Sequence, residues 1–338
     1  MFLRKQFTGL NRLWLLALGG LLVTGPAAAR DIKVAVTSKP IHSLVAAVMG
    51  DTGTPVLIVE GSASPHTFSL RPSSAQALYT ADIVFRVSEA LEPFTRKLAQ
   101  SLPEKARLVD LAAAPDVKHW PPRSGATFAP HAEGTNVADG DSQHEDGQHE
   151  DRQHGDATEP ANHHGANFDP HVWLDPVNAK AMVREIGKVL AAADPEHVAQ
   201  YAAQAASVVA KLDALDRELE SVLRPVQGRP FVVFHDAMQY FERRYGLNGA
   251  GSVTVSPEVQ PSAKRLSEVR RRIQDLGAVC IFGEPFFQPR LLAAVTEGTA
   301  ARAASLDPEG ATLDPGADLY FTLMRHLAGS LATCLSGS

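Results

Sequence analysis

The chain has 338 residues, two cysteines and a formal net charge of −6. That length supports two ordinary domains with sizeable cores. The acidic balance, with no basic cluster, argues against nucleic acid as a partner.

The first 29 residues predict a secretory signal. Arg4, Lys5 and Arg12 precede a short apolar run at 13–23, and Ala27-Ala28-Ala29 offers a small-residue cleavage pattern. The run is too short for a comfortable membrane span. With no Cys at the cleavage region to carry a lipid, a soluble periplasmic protein beginning near Arg30 is expected.

Apolar runs then alternate with helix-like stretches. Strands are predicted at 32–37, 55–60, 82–88 and 107–111, with helices at 41–49 and 73–80 between them. The second half repeats the scheme, with strands at 231–235, 252–256, 279–283 and 303–306. Continuous apolar strands alternating with helices argue for an α/β fold of two doubly wound lobes with parallel sheets. Between the lobes, 176–193 reads as an amphipathic helix stopped at Asp194-Pro195. The next, 195–223, would be about 40 Å long, a stiff connector. The expected boundaries are 30–193 for the N-terminal lobe, 194–224 for the connecting helix and 225–338 for the C-terminal lobe.

The first lobe also carries a low-complexity stretch, 119–166. His119, His131, His144, His149, His154, His163 and His164 alternate there with Asp, Glu, Gln and Gly. So few apolar residues cannot offset the entropy of ordering the segment, which is expected to be disordered. Imidazoles beside carboxylates suit borderline divalent metals, zinc above all. The plain alternative is a solvated loop with accidental histidine enrichment.

Cys280 and Cys334, in an exported chain without CxxC spacing, suggest one structural disulfide between a strand and the C-terminal helix. Closing a loop of about fifty residues stabilises by at most roughly 4 kcal/mol on the chain-entropy model. Two buried free thiols, or an intermolecular bond, are the alternatives.

Four potential ligands follow predicted strands or lie in loops: His66, His171, His235 and Asp307. Ligand crevices of open α/β sheets lie beyond the carboxyl ends of the strands. Facing lobes would bring the four together as a tetrahedral N3O set, which suits Zn2+, whereas manganese favours more oxygen. A lone His after a strand is more often a satisfied loop residue, so the weight rests on the set. His42, His197 and His326 read as packing or surface residues. Glu284, beyond another strand, is a candidate to orient a ligand imidazole or line the cleft. Phe68 and Trp173 either wall the site or pack in the core.

The segments Ser64-Pro65-His66-Thr67-Phe68, Asp169-Pro170-His171-Val172-Trp173, His235-Asp236-Ala237-Met238, Glu284-Pro285-Phe286-Phe287 and Leu306-Asp307-Pro308 together resemble the zinc-uptake substrate-binding proteins of bacterial ABC importers, cluster A-I. The resemblance spans essentially the whole mature chain. It implies two lobes bridged by a rigid helix, one metal in the cleft, and delivery to an inner-membrane permease powered by a separate ATPase. Manganese-type relatives usually carry Glu where His235 stands, which favours zinc. Some zinc-type relatives carry Glu where Pro65 stands, so here Asp307 or a water must complete the shell, and Asp307 is preferred. The His-rich insertion fits the zinc branch, with a role in capturing zinc or exchanging it with other periplasmic carriers.

A monomeric, non-enzymatic carrier is therefore expected. The alternatives are a carrier for manganese or another divalent metal, a periplasmic or adhesin-like scavenger, and a zinc hydrolase. The last would need a general base, for which only Glu284 is a candidate, and no HExxH motif is present.

Overall fold

The computed structural model describes Met1 and residues 31–98, 102–123, 167–254, 261–285 and 289–337. The signal segment beyond Met1 lies outside the described residues, as do His131, His144, His149, His154, His163 and His164.

All eight expected strands form, in two parallel sheets. β1 (Val34–Val36), β2 (Val56–Leu57), β3 (Ile83–Arg86) and β4 (Arg107–Asp110) are ordered β2-β1-β3-β4. β5 (Pro230–His235), β6 (Asn248–Thr254), β7 (Cys280–Gly283) and β8 (Arg302–Ser305) repeat that order as β6-β5-β7-β8. The registers correspond, with Val36 opposite Phe85 and Val233 opposite Phe282. In each sheet the chain leaves the first strand toward one neighbour and later returns to the other. The break between these directions is where α/β sheets open a crevice.

β6 departs from expectation by starting at Asn248, four residues before the predicted run. Asn248-Gly249-Ala250-Gly251 looks like a turn, because glycine weakens strands. Tertiary packing reverses that preference: a Cβ on Gly249 would lie 2.4 Å from the Glu242 carboxylate. The β5–β6 ladder also shifts register between Phe231 and Val232, as at a bulge.

Helix α1 (Lys39–Met49) follows β1, and α2 (Pro72–Thr80) covers the outer face of the first sheet. α3 (Pro176–Ala193) has its predicted limits. Pro176 needs no amide partner in the first turn, and Asp175 accepts from Val177 N at 2.8 Å as the cap. Pro195–His197 forms a 3₁₀ turn, after which α4 (Val198–Leu223) runs for 26 residues, about 39 Å at 1.5 Å per residue.

The buried stripe of α4, Tyr201 to Leu223, packs on α1 and α3 and on the terminal helix α8 (Leu319–Ser336). One apolar cluster consequently contains Val34 and Val36 of β1 together with Phe231 and Val233 of β5. Residues Asp31–Ser338 form one compact unit. α5 (Gln239–Tyr245) follows β5, while α6 (Ala263–Asp275) and α7 (Pro289–Thr296) flank the second sheet.

Cys280 of β7 is bonded to Cys334 of α8, with Cα atoms 6.2 Å apart across 54 residues of sequence. Ala at both positions, or reduction, is expected to lower unfolding free energy by about 2–4 kcal/mol. Urea denaturation with and without reductant measures this, and coincident midpoints would show the bridge to be energetically idle.

The segment 119–123, expected to be loose, is tightly held. His119 Nε2 lies 2.9 Å from Ala112 O and its ring stacks near Phe168. Trp120 sits under the Arg243 guanidinium, 4.1 Å from its carbon. Arg123 is paired with Asp236 and Glu242.

Candidate metal centre

Three histidines remote in sequence meet beyond the carboxyl ends of the two sheets. His66 stands on the loop after β2, His171 immediately precedes the 3₁₀ turn Val172–Leu174 leading into α3, and His235 is the last residue of β5. They are 7, 0 and 1 % exposed. His171 Nε2 is 3.2 Å from His66 Nε2 and 3.2 Å from His235 Nε2. One ligand nitrogen from each lies within 4.8 Å of the other two.

Carboxylates set the orientation of two rings. Asp169 Oδ1 lies 2.7 Å from His171 Nδ1 and also accepts from the His171 backbone N–H at 3.0 Å. Glu284, just past β7, holds His235 Nδ1 in a short contact, as an orienting group was expected to do. β5 and β7 are neighbours, so the pair straddles the direction change of the second sheet.

With Nδ1–H donated outward, both Nε2 lone pairs point inward. Two such lone pairs 3.2 Å apart repel unless a proton or a cation lies between them. Burial lowers the pKa of His235, but the carboxylates of Glu284, Glu309 and Asp236 together leave it raised. The arrangement thus favours positive charge where the nitrogens converge.

Asp307 does not join them. Its carboxylate accepts from the N–H groups of Ala311 and Thr312, both at 2.9 Å, and from Thr312 Oγ1 at 2.8 Å. Asp side chains commonly close their own turn this way, and all three donors lie within five residues.

The carboxylate at the cluster is Glu309, two residues further on. Its Oε1 is 3.7 Å from His66 Nε2 and accepts from Ser64 Oγ at 3.0 Å. Burial pushes its carboxyl up to about 8, against the pull of His235. Sequence reading named Asp307 in this loop, Leu306-Asp307-Pro308-Glu309; the acid the structure places beside His66 is Glu309. Asp169 was likewise quoted only within a motif; its spacing of two from His171 was the available signal.

Trp173 walls the site, its ring 5.3 Å from that of His171, and its Nε1 donates to Pro308 O at 3.1 Å. Phe68 takes the other role, core packing: it meets Phe94 edge-on, 5.0 Å between centroids, in the apolar cluster of Ile58 and Leu78. Of the other histidines, His42 binds Pro55 O, His197 pairs with Asp194, and His326 is exposed.

Residues 34–334 match the family described as zinc-uptake complex component A, periplasmic. The chain is 45% identical over 305 residues to the high-affinity zinc uptake system protein ZnuA of Brucella suis, covering 90% of this chain and 91% of that protein. It is 39% identical over 311 residues to the corresponding protein of Paracoccus denitrificans, covering 92% and 94%. A crystal structure of ZnuA superimposes with a TM-score of 0.69 at 23% identity, covering 90% of this chain and all of that one. A zinc-bound ZnuA lacking residues 138–173 of its own numbering gives 0.69 at 24%, covering 91% and 100%. At those identities the two structures speak for the fold, while the profile and the sequence relatives speak for descent. The chain belongs to the family of periplasmic zinc-uptake components.

Proposed function

We propose that this protein is the periplasmic zinc-binding component of an ABC importer, capturing Zn2+ and handing it to an inner-membrane permease driven by a separate ATPase. The observation that carries the reading is the convergence of three imidazole Nε2 atoms. Nitrogens 2.0–2.1 Å from a tetrahedral zinc are about 3.3–3.4 Å apart. The two spacings of 3.2 Å are close to that edge. A nitrogen-rich donor set suits zinc better than manganese or calcium. The zinc-uptake names of the relatives agree with this choice.

Carriage, not hydrolysis, fits the surroundings. The three rings are almost wholly buried, which leaves little room for an ester or peptide beside the ion. Asp169 and Glu284, which a hydrolase would need as bases, are engaged with Nδ1 atoms. Residues 30–193 and 225–338 act as two lobes about the helix 194–224. The protein works as a monomer after removal of residues 1–29, and the histidines at 131–164 collect zinc or exchange it with other periplasmic carriers.

Titration calorimetry on metal-free protein tests the reading: one tight Zn2+ per chain is expected, retained when 124–166 are deleted. Loss of that site on deletion, or a preference for Mn2+, would overturn it. Binding should also weaken as pH falls from 7.5 to 5.5, because protons compete for each nitrogen. The loss is roughly tenfold per imidazole that must shed a proton. A pH-independent affinity would contradict imidazole ligation.

A further inference from the structure

Asp169 orients His171, and Asp169 is itself gripped by the helix that follows β5. One carboxylate oxygen, Oδ1, faces His171, whose Nδ1 is 2.7 Å away. The other, Oδ2, lies 3.0 Å from the side-chain amide of Gln239, which also sits 3.2 Å from Pro121 O. Both neighbours are acceptors, so the amide presents its NH2 group, with one proton for each. Gln239 and Asp169 are 1 and 2 % exposed, which leaves little room for bulk water to compete.

The next residue of the same helix holds the backbone of Asp169. Tyr240 Oη donates to Asp169 O at 2.8 Å and accepts from Trp120 N at 3.1 Å. Asp169 N in turn donates to Trp120 O at 2.8 Å. Carboxylate, carbonyl and amide of Asp169 are all fixed in this way. Gln239 and Tyr240 open α5, and Gln239 is four residues past His235, the end of β5. One short stretch beyond β5 therefore carries one imidazole of the cluster and steers the carboxylate behind another.

We propose that Gln239 is a positioning residue for zinc binding, holding the Asp169 carboxylate against His171 Nδ1 so that His171 Nε2 stays turned toward the other imidazoles. The role rests on the zinc-carrier reading above. Without a donor on Oδ2, the buried carboxylate is partly unsatisfied, and turning to find another donor breaks its bond to His171. With Gln239 in place, one orientation satisfies both oxygens. The imidazole then donates Nδ1–H to the carboxylate and offers Nε2 to the ion. Gln239 acts through Asp169, so its effect disappears where Asp169 has been removed.

Zinc competition against a chromophoric chelator compares wild type, Gln239→Met, Asp169→Ala and the double variant. Methionine keeps the length and bulk of glutamine and lacks the donor. Gln239→Met is expected to weaken zinc about tenfold, the lower end of the range for groups that orient a ligand. The double variant should bind no more weakly than Asp169→Ala alone, because the amide then has nothing to position. A packing defect would lower affinity in both backgrounds. Unchanged affinity in Gln239→Met, or losses that multiply in the double variant, would overturn the assignment. Failure of wild type to bind zinc tightly would instead overturn the carrier reading. Hydrogen exchange followed by NMR in the wild type depends on no variant's folding. The side-chain amide protons of Gln239 should exchange slowly in zinc-free protein, and fast exchange also overturns the assignment.

Discussion

His171→Ala is expected to weaken zinc binding by roughly 10²–10³-fold. Zinc sites of this ligand number release about 10–16 kcal/mol, or some 2.5–4 kcal/mol per ligand. His171 is the most sensitive of the three positions, since its Nε2 is the one 3.2 Å from both partners. His171→Ala combined with His235→Ala should leave no tight site, because two ligands cannot hold the ion in their place. Glu284→Gln keeps the shape beside His235 Nδ1 and removes the charge, so a smaller loss, roughly 10–100-fold, is expected. Calorimetry on a background lacking 124–166 separates these effects from weak binding by the remaining histidines. Unchanged affinity in the double variant would place the zinc elsewhere.

The second large effect concerns stability. Arg123→Ala is expected to cost about 3–5 kcal/mol, the usual penalty for stranding buried charge. Arg123 Nε donates to Asp236 at 3.0 Å and its Nη1 to Glu242 at 2.6 Å, and the two acids are 3 and 0 % exposed. Burial already holds the Asp236 carboxyl above the usual carboxylate range, even with the guanidinium opposite.

The pH dependence follows from that direction. A carboxyl whose folded pKa is raised keeps a proton that the unfolded chain has released, so stability falls as pH rises through the carboxylate range. Removing Arg123 raises the Asp236 carboxyl further and steepens that fall. The deficit of the variant should therefore be greatest near pH 8 and shrink toward pH 4–5. Urea midpoints of chelator-treated protein at the two pH values measure it, and a deficit that grows on acidification would refute the account.

Much of the architecture is legible without coordinates, for local reasons. The strand Phe231-Val232-Val233-Phe234 is apolar on both faces because both faces are covered, and such runs announce a buried parallel strand. Asp175-Pro176 starts α3 where expected because a capping carboxylate and a residue without an amide proton suit only the first turn. The cysteines could be paired on paper because there are only two. β6 was misplaced where local preference and packing disagree: Gly249 is unfavourable in a strand, yet only glycine fits beneath Glu242.

The site divides along the same line. His235 ends a strand, His171 has Asp169 two residues before it and His66 lies in the loop after a strand, so residue type and position sufficed to nominate them. The two acids of the last loop could not be told apart in the sequence, because neighbouring loop residues point in different directions. Asp307 turned to amides within its own loop, whereas Glu309 was drawn to Ser64 and His66, more than two hundred residues away. The same holds for Arg123, whose partners lie 113 and 119 residues on.

By itself, then, the order of residues determined two parallel sheets, a long buried-stripe helix between them, one cysteine pair and three metal-type imidazoles. These follow from periodicity, capping and donor chemistry, which act over a few residues. Tertiary structure alone decided which carboxylate faces the inward nitrogens, which glycine must lie under a buried acid, and how Arg123 pairs with Asp236 and Glu242. Those outcomes depend on desolvated contacts between distant segments, and no local preference encodes them.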